Sequence, residues 1–241
     1  PGVWRIMISV CMTTYNGELY LDEQIKSILP QLNPDDELVI CDDGSTDSTI
    51  SIIESFKDMR IHLHRNHFRN HILNFEYALH KAKGDIIFLC DQDDVWLPDK
   101  VKTMLPYFDI YDLVCSNCIV TDQVLKHDNN TFFHDDPNHK TGIIKNLWHN
   151  QYLGCCMAFN RKVLSKALPF PKNLITHDTW IGLVSEIAGK PKFISKPLIY
   201  FRRHNANASC TCLKSNLSIT KMISYRLTLL RGLFTNFIIN R

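Results

Sequence analysis

The sequence predicts an α/β fold, with a mainly parallel sheet flanked by helices and an amphipathic helical tail at the C-terminus. Short apolar runs alternate with helical patterns through the first half of the chain, as in βαβ units. The chain has 241 residues, 45% of them hydrophobic and 22% charged, which fits one large or two small globular domains. Polar clusters directly follow three of the apolar runs, as ligand-binding turns do at the carboxyl ends of parallel strands.

Five apolar runs predict strands at residues 6–11, 38–41, 61–64, 86–90 and 113–120. Four segments with apolar residues at helical spacing lie between them, at residues 18–29, 45–56, 72–82 and 98–105. Ser45, Thr46 and Asp47 are cap-type residues for the second helix, and Pro98 suits the first turn of the fourth. Right-handed crossovers leave few topologies for such a chain.

The pattern changes after residue 122. Residues 123–142 are rich in Asn, Asp, His and Pro and predict a mobile loop. Beyond it we expect a strand at 155–159, a helix over 178–188 and a strand at 198–201. No run approaches the roughly 18 apolar residues of a spanning helix, and no signal peptide is recognised. We therefore expect a cytoplasmic location, peripheral on the inner face of the cytoplasmic membrane.

The segment 217–241 is helical in pattern, with one apolar stripe and an opposite polar face that includes Lys221 and Arg231. The stripe consists of Ile219, Met222, Ile223, Leu230, Leu233, Phe234, Phe237 and Ile238. A basic amphipathic helix of this kind suits a membrane surface. It equally suits docking on its own domain or on a second copy of the chain as a homodimer.

Charge is unevenly distributed along the chain. Residues 190–241 hold ten Lys and Arg and no acid, whereas residues 1–189 hold 17 bases and 25 acids, a net charge of −8. An acid-lined region joined to a basic end predicts binding of anionic groups at the basic end. The acidic front half would repel a phosphate backbone, which argues against nucleic acid as a partner.

The nine cysteines predict a reduced protein with thiols in its core. Four of them lie in or at the ends of apolar runs, as buried thiols do: Cys11, Cys41, Cys90 and Cys115. The alternative is a zinc site built from the pairs Cys115-x-x-Cys118 and Cys210-x-Cys212.

Three polar clusters follow predicted strands, at residues 13–16 (Thr-Thr-Tyr-Asn), 42–45 (Asp-Asp-Gly-Ser) and 91–94 (Asp-Gln-Asp-Asp). The first two have the composition of ordinary turns. The third places three carboxylates in four residues, and these repel one another unless a cation or solvent offsets their charge. Mg²⁺ or Mn²⁺ would suit these oxygens and are commonly shared with substrate phosphates. A solvated structural loop is the alternative.

Six segments together resemble the inverting GT-A glycosyltransferases of family 2, especially the rhamnosyltransferase-like branch of bacterial surface-polysaccharide synthesis. They are ISVCMTTYNGELYLDEQIKSI, LVICDDGSTDST, FLCDQDDVWLPDKV, GCCMAFNR, HDTWIG and YFRRHNANAS. The resemblance implies a Rossmann-like GT-A domain over residues 1–212, with a nucleotide-sugar-binding half at 1–122 and an acceptor-side half at 143–212. The basic amphipathic helix at 213–241 would follow it.

The resemblance implies roles for the first two polar clusters in holding the nucleotide. Thr14, Tyr15 and Asn16 would form the first turn that contacts it. Asp43, or its neighbour Asp42, would accept a hydrogen bond from the pyrimidine base.

The third cluster would hold the metal and the donor sugar. Asp91 would lie near the ribose or the metal-bound waters, and Asp93 would bind the metal. Asp94 and Trp96 would extend this turn toward the donor sugar. Trp96 and Trp180 are equally candidates for the hydrophobic core.

The remaining motifs imply the acceptor side and the closing basic group. Asp178 is similar to the catalytic base of the family, and His177 stands before it where many relatives carry Glu. Arg202, Arg203 and His204 would close on the diphosphate, and His204 could also reach the metal. The stretch that begins at Gly154 would line the acceptor cleft.

Chemistry supports this division of roles. A departing nucleoside diphosphate gains negative charge, so a metal and cations should face it. The attacking hydroxyl loses a proton on the opposite side of the sugar, where a lone carboxylate such as Asp178 should stand. A single displacement inverts the sugar carbon. For Asp178 alone, an N-cap of a helix is the alternative.

We therefore expect a metal-dependent hexosyltransferase. Its first-choice donor is dTDP-rhamnose, with UDP-hexose or UDP-N-acetylhexosamine as alternatives, and its acceptor is a saccharide, linked to lipid or free. A sugar nucleotidyltransferase is disfavoured, because residues 13–17 offer one glycine and no following base. A non-catalytic nucleotide- or sugar-binding module is the third alternative.

Overall fold

An eight-stranded sheet carries the fold in the computed structural model, which describes residues 6–134, 141–204 and 218–239. Its strands are β1 (Ile8–Thr14), β2 (Glu37–Asp42), β3 (Ile61–Arg65), β4 (Ile86–Cys90), β5 (Val95–Trp96), β6 (Leu113–Thr121), β7 (Met157–Asn160) and β8 (Pro191–Arg202). They are ordered β3-β2-β1-β4-β7-β6-β8-β5 across the sheet.

The half of the sheet that ends in the three polar clusters is parallel. β2 pairs in parallel with β1 and β3, and β1 pairs in parallel with β4. The chain order reverses on the two sides of β1, and ligands of open α/β sheets bind in the crevice at such a reversal. The predicted α/β fold is confirmed, and the crevice lies where the three clusters emerge.

The other half of the sheet is mixed. β7 runs antiparallel between β4 and β6, and β5 runs antiparallel to β8. Because β6 and β7 are antiparallel neighbours, the connection joins the end of β6 to the adjacent start of β7 and does not cross over the sheet. Residues 122–134 of this connection form turns and one bridge, between Thr131 and Ile119. Residues 135–140 lie outside the described residues.

Helices connect most of the strands. They are α1 (Leu21–Ile28), α2 (Thr49–Ser55), α3 (His71–Lys81), α4 (Lys100–Met104), α5 (Ile143–Trp148), α6 (Arg161–Ala167), α7 (His177–Ala188) and α8 (Ile219–Phe234). The sequence did not predict α6, whose first turn is capped by Asn160 through a 3.2 Å bond from the Val163 N–H to its side-chain oxygen. It also missed β5 and most of the length of β8.

The core confirms the prediction of reduced, buried thiols for the part of the chain that the structure describes. Its seven cysteines are free and buried: Cys11, Cys41, Cys90, Cys115, Cys118, Cys155 and Cys156. Cys210 and Cys212, the second half of the alternative zinc site, lie outside the described residues.

One face of α8 docks on the chain's own domain. Leu229 and Leu233 are buried, and the Tyr225 hydroxyl lies 2.6 Å from Thr176 Oγ1. Just beyond α8, in a π-helical turn, the Asn236 amide donates to the carbonyl of Lys166. Within the described ranges, every helix is too short or too polar to cross a bilayer.

Candidate active site at the carboxyl ends of β1, β2 and β4

The three polar clusters form one connected surface. The Tyr15 N–H donates to the Gln92 side chain at 2.9 Å, and the Gln92 amide donates back to the Tyr15 carbonyl at 3.1 Å. The Asn16 side chain accepts from the Thr46 N–H at 2.9 Å, while the Asn16 N–H donates to Ser45 Oγ. The turn after β1 is therefore tied both to the turn after β4 and to the turn after β2.

Asp42 and Asp43 differ in what they hold. Asp42 organises its own turn, because its carboxylate accepts from the Thr14 hydroxyl at 2.8 Å and from the N–H of Gly44 and Ser45. Thr14 is thus directed into the turn, with 2% of its surface exposed.

Asp43 instead fixes the start of α3. Its two carboxylate oxygens accept from the N–H groups of Arg69 and Asn70 at 2.9 and 2.8 Å. Each oxygen retains acceptor capacity beyond these single bonds. Asp43 is therefore the better placed of the two neighbours to accept from a nucleotide base.

Two of the three acids after β4 form a compact group with a thiol. One potential ligand atom each from Asp91, Asp94 and Cys155 lies within 4.8 Å of the others. Burial, followed by the neighbouring charges of Asp93 and Asp178, raises the pKa of Asp91 to about 7. Burial and Asp93 also raise the pKa of Asp94. Carboxyl groups held this way favour a proton or a cation.

Asp94 supplies a direct test of whether a cation fits. Its Oδ1 accepts from the Arg202 N–H at 3.0 Å, whereas its buried Oδ2 has no hydrogen-bond partner among the described residues. An orphaned buried carboxylate oxygen is costly, and a hard divalent ion such as Mn²⁺ or Mg²⁺ would satisfy it. The Cys155 thiol is a poor ligand for such an ion, so the oxygens of Asp91 and Asp94 are the groups that fit.

Asp93 lies beside this group. Its Oδ2 is 2.8 Å from His204 Nε2, and the His204 ring is tilted against the Tyr20 ring with centroids 4.7 Å apart. The expected set of Asp91, Asp93 and His204 is thus only partly assembled, because Asp93 and His204 pair with each other while Asp91 approaches Asp94.

Asp178 lies beside Gly154 and close enough to the acidic cluster for its charge to act on Asp91. It is the second residue of α7, and its Oδ1 accepts from the Thr179 N–H at 2.6 Å. Burial raises its pKa to about 6. The negative charge of Asp178 in turn raises the pKa of Asp91, so the two carboxyl groups interact electrostatically. The cap position of α7 belongs to Thr176, so the alternative role of Asp178 as N-cap is wrong.

His177 packs against α3 and remains neutral. Its ring stacks on Phe75 with centroids 4.0 Å apart, and burial followed by the charge of His71 lowers its pKa to about 3. Its buried Nδ1 has no hydrogen-bond partner in the part of the chain that the structure describes. A Cβ added at Gly154 would lie 3.1 Å from His177 Nε2, so this glycine lets β7's entry approach the start of α7 closely.

The first arginine of the basic motif at the end of β8 is bonded to other parts of the chain. The Arg202 guanidinium is 3% exposed and donates to the carbonyls of Asp93 and Gln123 at 2.7 and 2.6 Å. It also pairs with Glu23 of α1 at 2.6 Å. Arg202 therefore connects the acidic turn to α1 and does not project toward a diphosphate. Arg203 lies over the Phe201 ring at 5.4 Å.

Trp96 and Trp180 belong to the hydrophobic core. Trp96 is 3% exposed and lies 5.5 Å from the Phe88 ring, and Trp180 is fully buried and donates to the carbonyl of Ala167 at 2.8 Å. The expectation that Trp96 extends toward a donor sugar is therefore wrong, because the side chain is buried in the core. Packing an indole under the acidic turn is the more favourable use of its apolar area.

Sequence reasoning missed Lys100 beneath the site. Its side chain is fully buried, its Nζ donates to the Cys155 carbonyl at 2.7 Å, and it lies 4.2 Å above the Trp96 ring. Burial lowers its pKa, and its charge opposes the raised pKa of Asp91. The available signal was a lysine placed two residues after Pro98, on the helix that follows the acidic turn.

The fold is that of the GT-A class of glycosyltransferases. The model of the family described as Glycosyl transferase family 2 matches residues 9–168, and the chain belongs to that family. The resemblance inferred from the six motifs is confirmed.

Curated relatives come from bacteria. The chain is 27% identical over 221 residues to the dTDP-rhamnosyl transferase RfbG of Shigella flexneri, covering 81% of this chain and 72% of that protein. It is 30% identical over 124 residues to WfgD of Escherichia coli, a UDP-Glc:alpha-D-GlcNAc-diphosphoundecaprenol beta-1,3-glucosyltransferase, covering 47% of this chain and 49% of that protein. The chain spans less than two thirds of the length of several relatives it matches.

Solved structures share the fold at low identity. S. aureus TarS (residues 1–349) in complex with UDP-GlcNAc superposes with a TM-score of 0.70 at 16% identity, covering 95% of this chain and 73% of that one. The mannosyltransferase PcManGT of Pyrobaculum calidifontis, in complex with GDP-Man and Mn²⁺, gives 0.61 at 17% identity, covering 98% and 64%. At these identities the likeness establishes the fold.

Proposed function

We propose that this chain transfers a sugar from a nucleoside diphosphate donor to a saccharide acceptor, with inversion, in bacterial surface-polysaccharide synthesis. The observation that carries the proposal is the proximity of Asp178 to the acids after β4: Asp178 lies beside Gly154, and the next residue, Cys155, groups with Asp91 and Asp94. The charge of Asp178 is also felt at Asp91. The acids after β4 suit a diphosphate bound through a cation, and Asp178 suits a proton acceptor. The family match argues against the nucleotidyltransferase alternative.

Asp178 would accept the proton of the attacking hydroxyl. A carboxyl group with a pKa of about 6 is mostly ionised at neutral pH, yet it is a stronger base than an ordinary aspartate. Thr179 holds the carboxylate through its N–H, which fixes the direction of the remaining lone pairs. Transfer should therefore fall as the pH drops through about 6.

A divalent ion at the acidic turn would supply charge stabilisation to the departing diphosphate. Asp91 is common to the two candidate ligand sets, which are completed by Asp94 or by Asp93 with His204. The Asp94 oxygen without a partner supports the first set, and the family resemblance supports the second.

The donor is proposed as dTDP-rhamnose first, with UDP-glucose and other UDP-hexoses as the alternative. RfbG is a dTDP-rhamnosyl transferase and WfgD a UDP-Glc-dependent one, so relatives include both donor types. WfgD acts on a diphosphoundecaprenol-linked acceptor, which supports a lipid-linked saccharide as the acceptor here. We place the reaction at the inner face of the cytoplasmic membrane, where such an acceptor is reached.

A panel of nucleotide sugars with Mn²⁺ or Mg²⁺, read by thermal shift, tests donor binding, because a ligand that binds only the folded state raises Tm. Asp178→Asn should keep the donor-induced shift but lose transfer by about 10²- to 10⁴-fold. Asp94→Asn and Asp93→Asn, compared in a Mn²⁺ titration, decide between the ligand sets. Undiminished transfer by Asp178→Asn, or no shift with any donor, would overturn the proposal.

A further inference from the structure

The outward face of α8 carries an apolar stripe that no other described part of the chain covers. Ile223, Leu227, Leu230 and Phe234 are between 45% and 53% exposed. Their spacing of four, three and four residues places them on one side of the helix. This side is distinct from the docked side, on which Leu229 is buried.

Helix α5 extends this surface. The Arg226 guanidinium lies 4.4 Å above the Trp148 ring and donates to the carbonyls of Leu147 and Trp148. Trp148 and Ile144 are themselves 69% and 76% exposed. Two helices that are linked through Arg226 therefore present large apolar side chains, including an indole, to the solvent.

The charged residues within the elements that carry the stripe have one sign, although Glu186 of α7 accepts from the Asn146 amide of α5. α5, α6, the segment 168–177 and α8 contain no Asp or Glu. They contain eight Lys and Arg, and Lys221 and Arg231 of α8 are exposed. A single-sign basic surround on an apolar stripe is complementary to an anionic lipid surface, whose headgroups attract bases while the interface accepts apolar side chains.

We propose that the α8 face, defined by Ile223, Leu227, Leu230 and Phe234 with Trp148 beside it, binds the surface of an anionic bilayer. The helix lies in the plane of the interface with this stripe turned into the headgroup region. Its docked side meanwhile contacts the proposed acceptor half, because the Tyr225 hydroxyl is bonded to Thr176, two residues before Asp178. The face is inferred from α8 and α5 alone and does not depend on the proposed sugar transfer.

Flotation with vesicles of phosphatidylcholine, with and without phosphatidylglycerol, tests the inference on the full chain. The wild type should float with the anionic vesicles and less with phosphatidylcholine alone or at high salt. Leu227→Gln/Leu230→Gln should lower the partition coefficient by roughly tenfold or more, since it removes two apolar side chains from the contact. The matched control is Met59→Gln/Ile110→Gln, which changes two exposed apolar residues elsewhere and should float like the wild type.

Three outcomes would overturn the inference. The first is equal flotation of wild type and the α8 variant. The second is equal binding to neutral and anionic vesicles. The third is a dimer in sedimentation equilibrium that the α8 variant dissociates, which would assign the face to a second copy of the chain. Thermal shift with the nucleotide panel, run on the same variants, reports separately on the proposed function.

Discussion

Replacing Asp178 by Asn should stabilise the folded protein at neutral pH while it abolishes transfer. The carboxyl group has a pKa of about 6 in the fold, against an ordinary value of 3.8, because burial disfavours its charge. A difference of about 2 pH units at about 1.4 kcal/mol each corresponds to about 3 kcal/mol by which ionisation of Asp178 opposes folding. Asn keeps an acceptor oxygen for the Thr179 N–H and carries no charge.

The pH dependence gives the sign of this effect. Because the folded-state pKa is the higher one, the protonated group favours folding at low pH, and this advantage is lost as the pH rises from 3.8 to about 6. The gain in free energy of unfolding for Asp178→Asn should therefore be near zero at the acid end of this window. It should reach its full value above about pH 6.

Urea unfolding of both proteins across this pH range, with EDTA present, measures the effect. Asp22→Asn is the matched control, because Asp22 is also the second residue of a helix but is half exposed and pairs with Lys26. Removing that charge should lower the free energy of unfolding by about 0.5 kcal/mol. A loss of stability in Asp178→Asn at pH 8, similar to that of the control, would refute the reasoning.

Three further substitutions test the surroundings of the site. Tyr225→Phe removes the hydroxyl group through which α8 hydrogen-bonds to Thr176, just before α7. Steady-state kinetics should therefore show a lower kcat with an unchanged KM for the donor. Lys100→Met leaves the Cys155 carbonyl without its donor, and urea unfolding should show a loss of about 1–3 kcal/mol. Gly182→Ala would drive a Cβ into the Tyr152 ring. Calorimetry should show a lower Tm, corresponding to about 1–3 kcal/mol of overpacking. An unchanged value in any of the three would contradict the contact on which it rests.

The parallel half of the fold was predictable because its strands β1, β2 and β4 are buried and its helices have one apolar face. The apolar runs at 38–41 and 86–90 became β2 and β4 with small changes in their ends, since a strand covered on both sides needs a continuous hydrophobic run. β5 was missed because two residues carry too little periodicity to register. α5 and α6 were also missed, although α2 is no longer than α6. β8 is longer than predicted, because pairing with β6 extends the strand through Lys and Pro residues of low strand propensity.

The sequence by itself determined that acids emerge after β4 and that a lone aspartate stands near the start of a later helix. Order and spacing of such motifs are properties of the chain, and they sufficed to indicate the family. The tertiary structure alone decided which of the side chains meet. Arg202 turned inward to Asp93 and Glu23, and Lys100 reached the Cys155 carbonyl. A long charged side chain normally reaches water and is buried only where neighbouring groups pair it, so the packed neighbours decide which state it adopts.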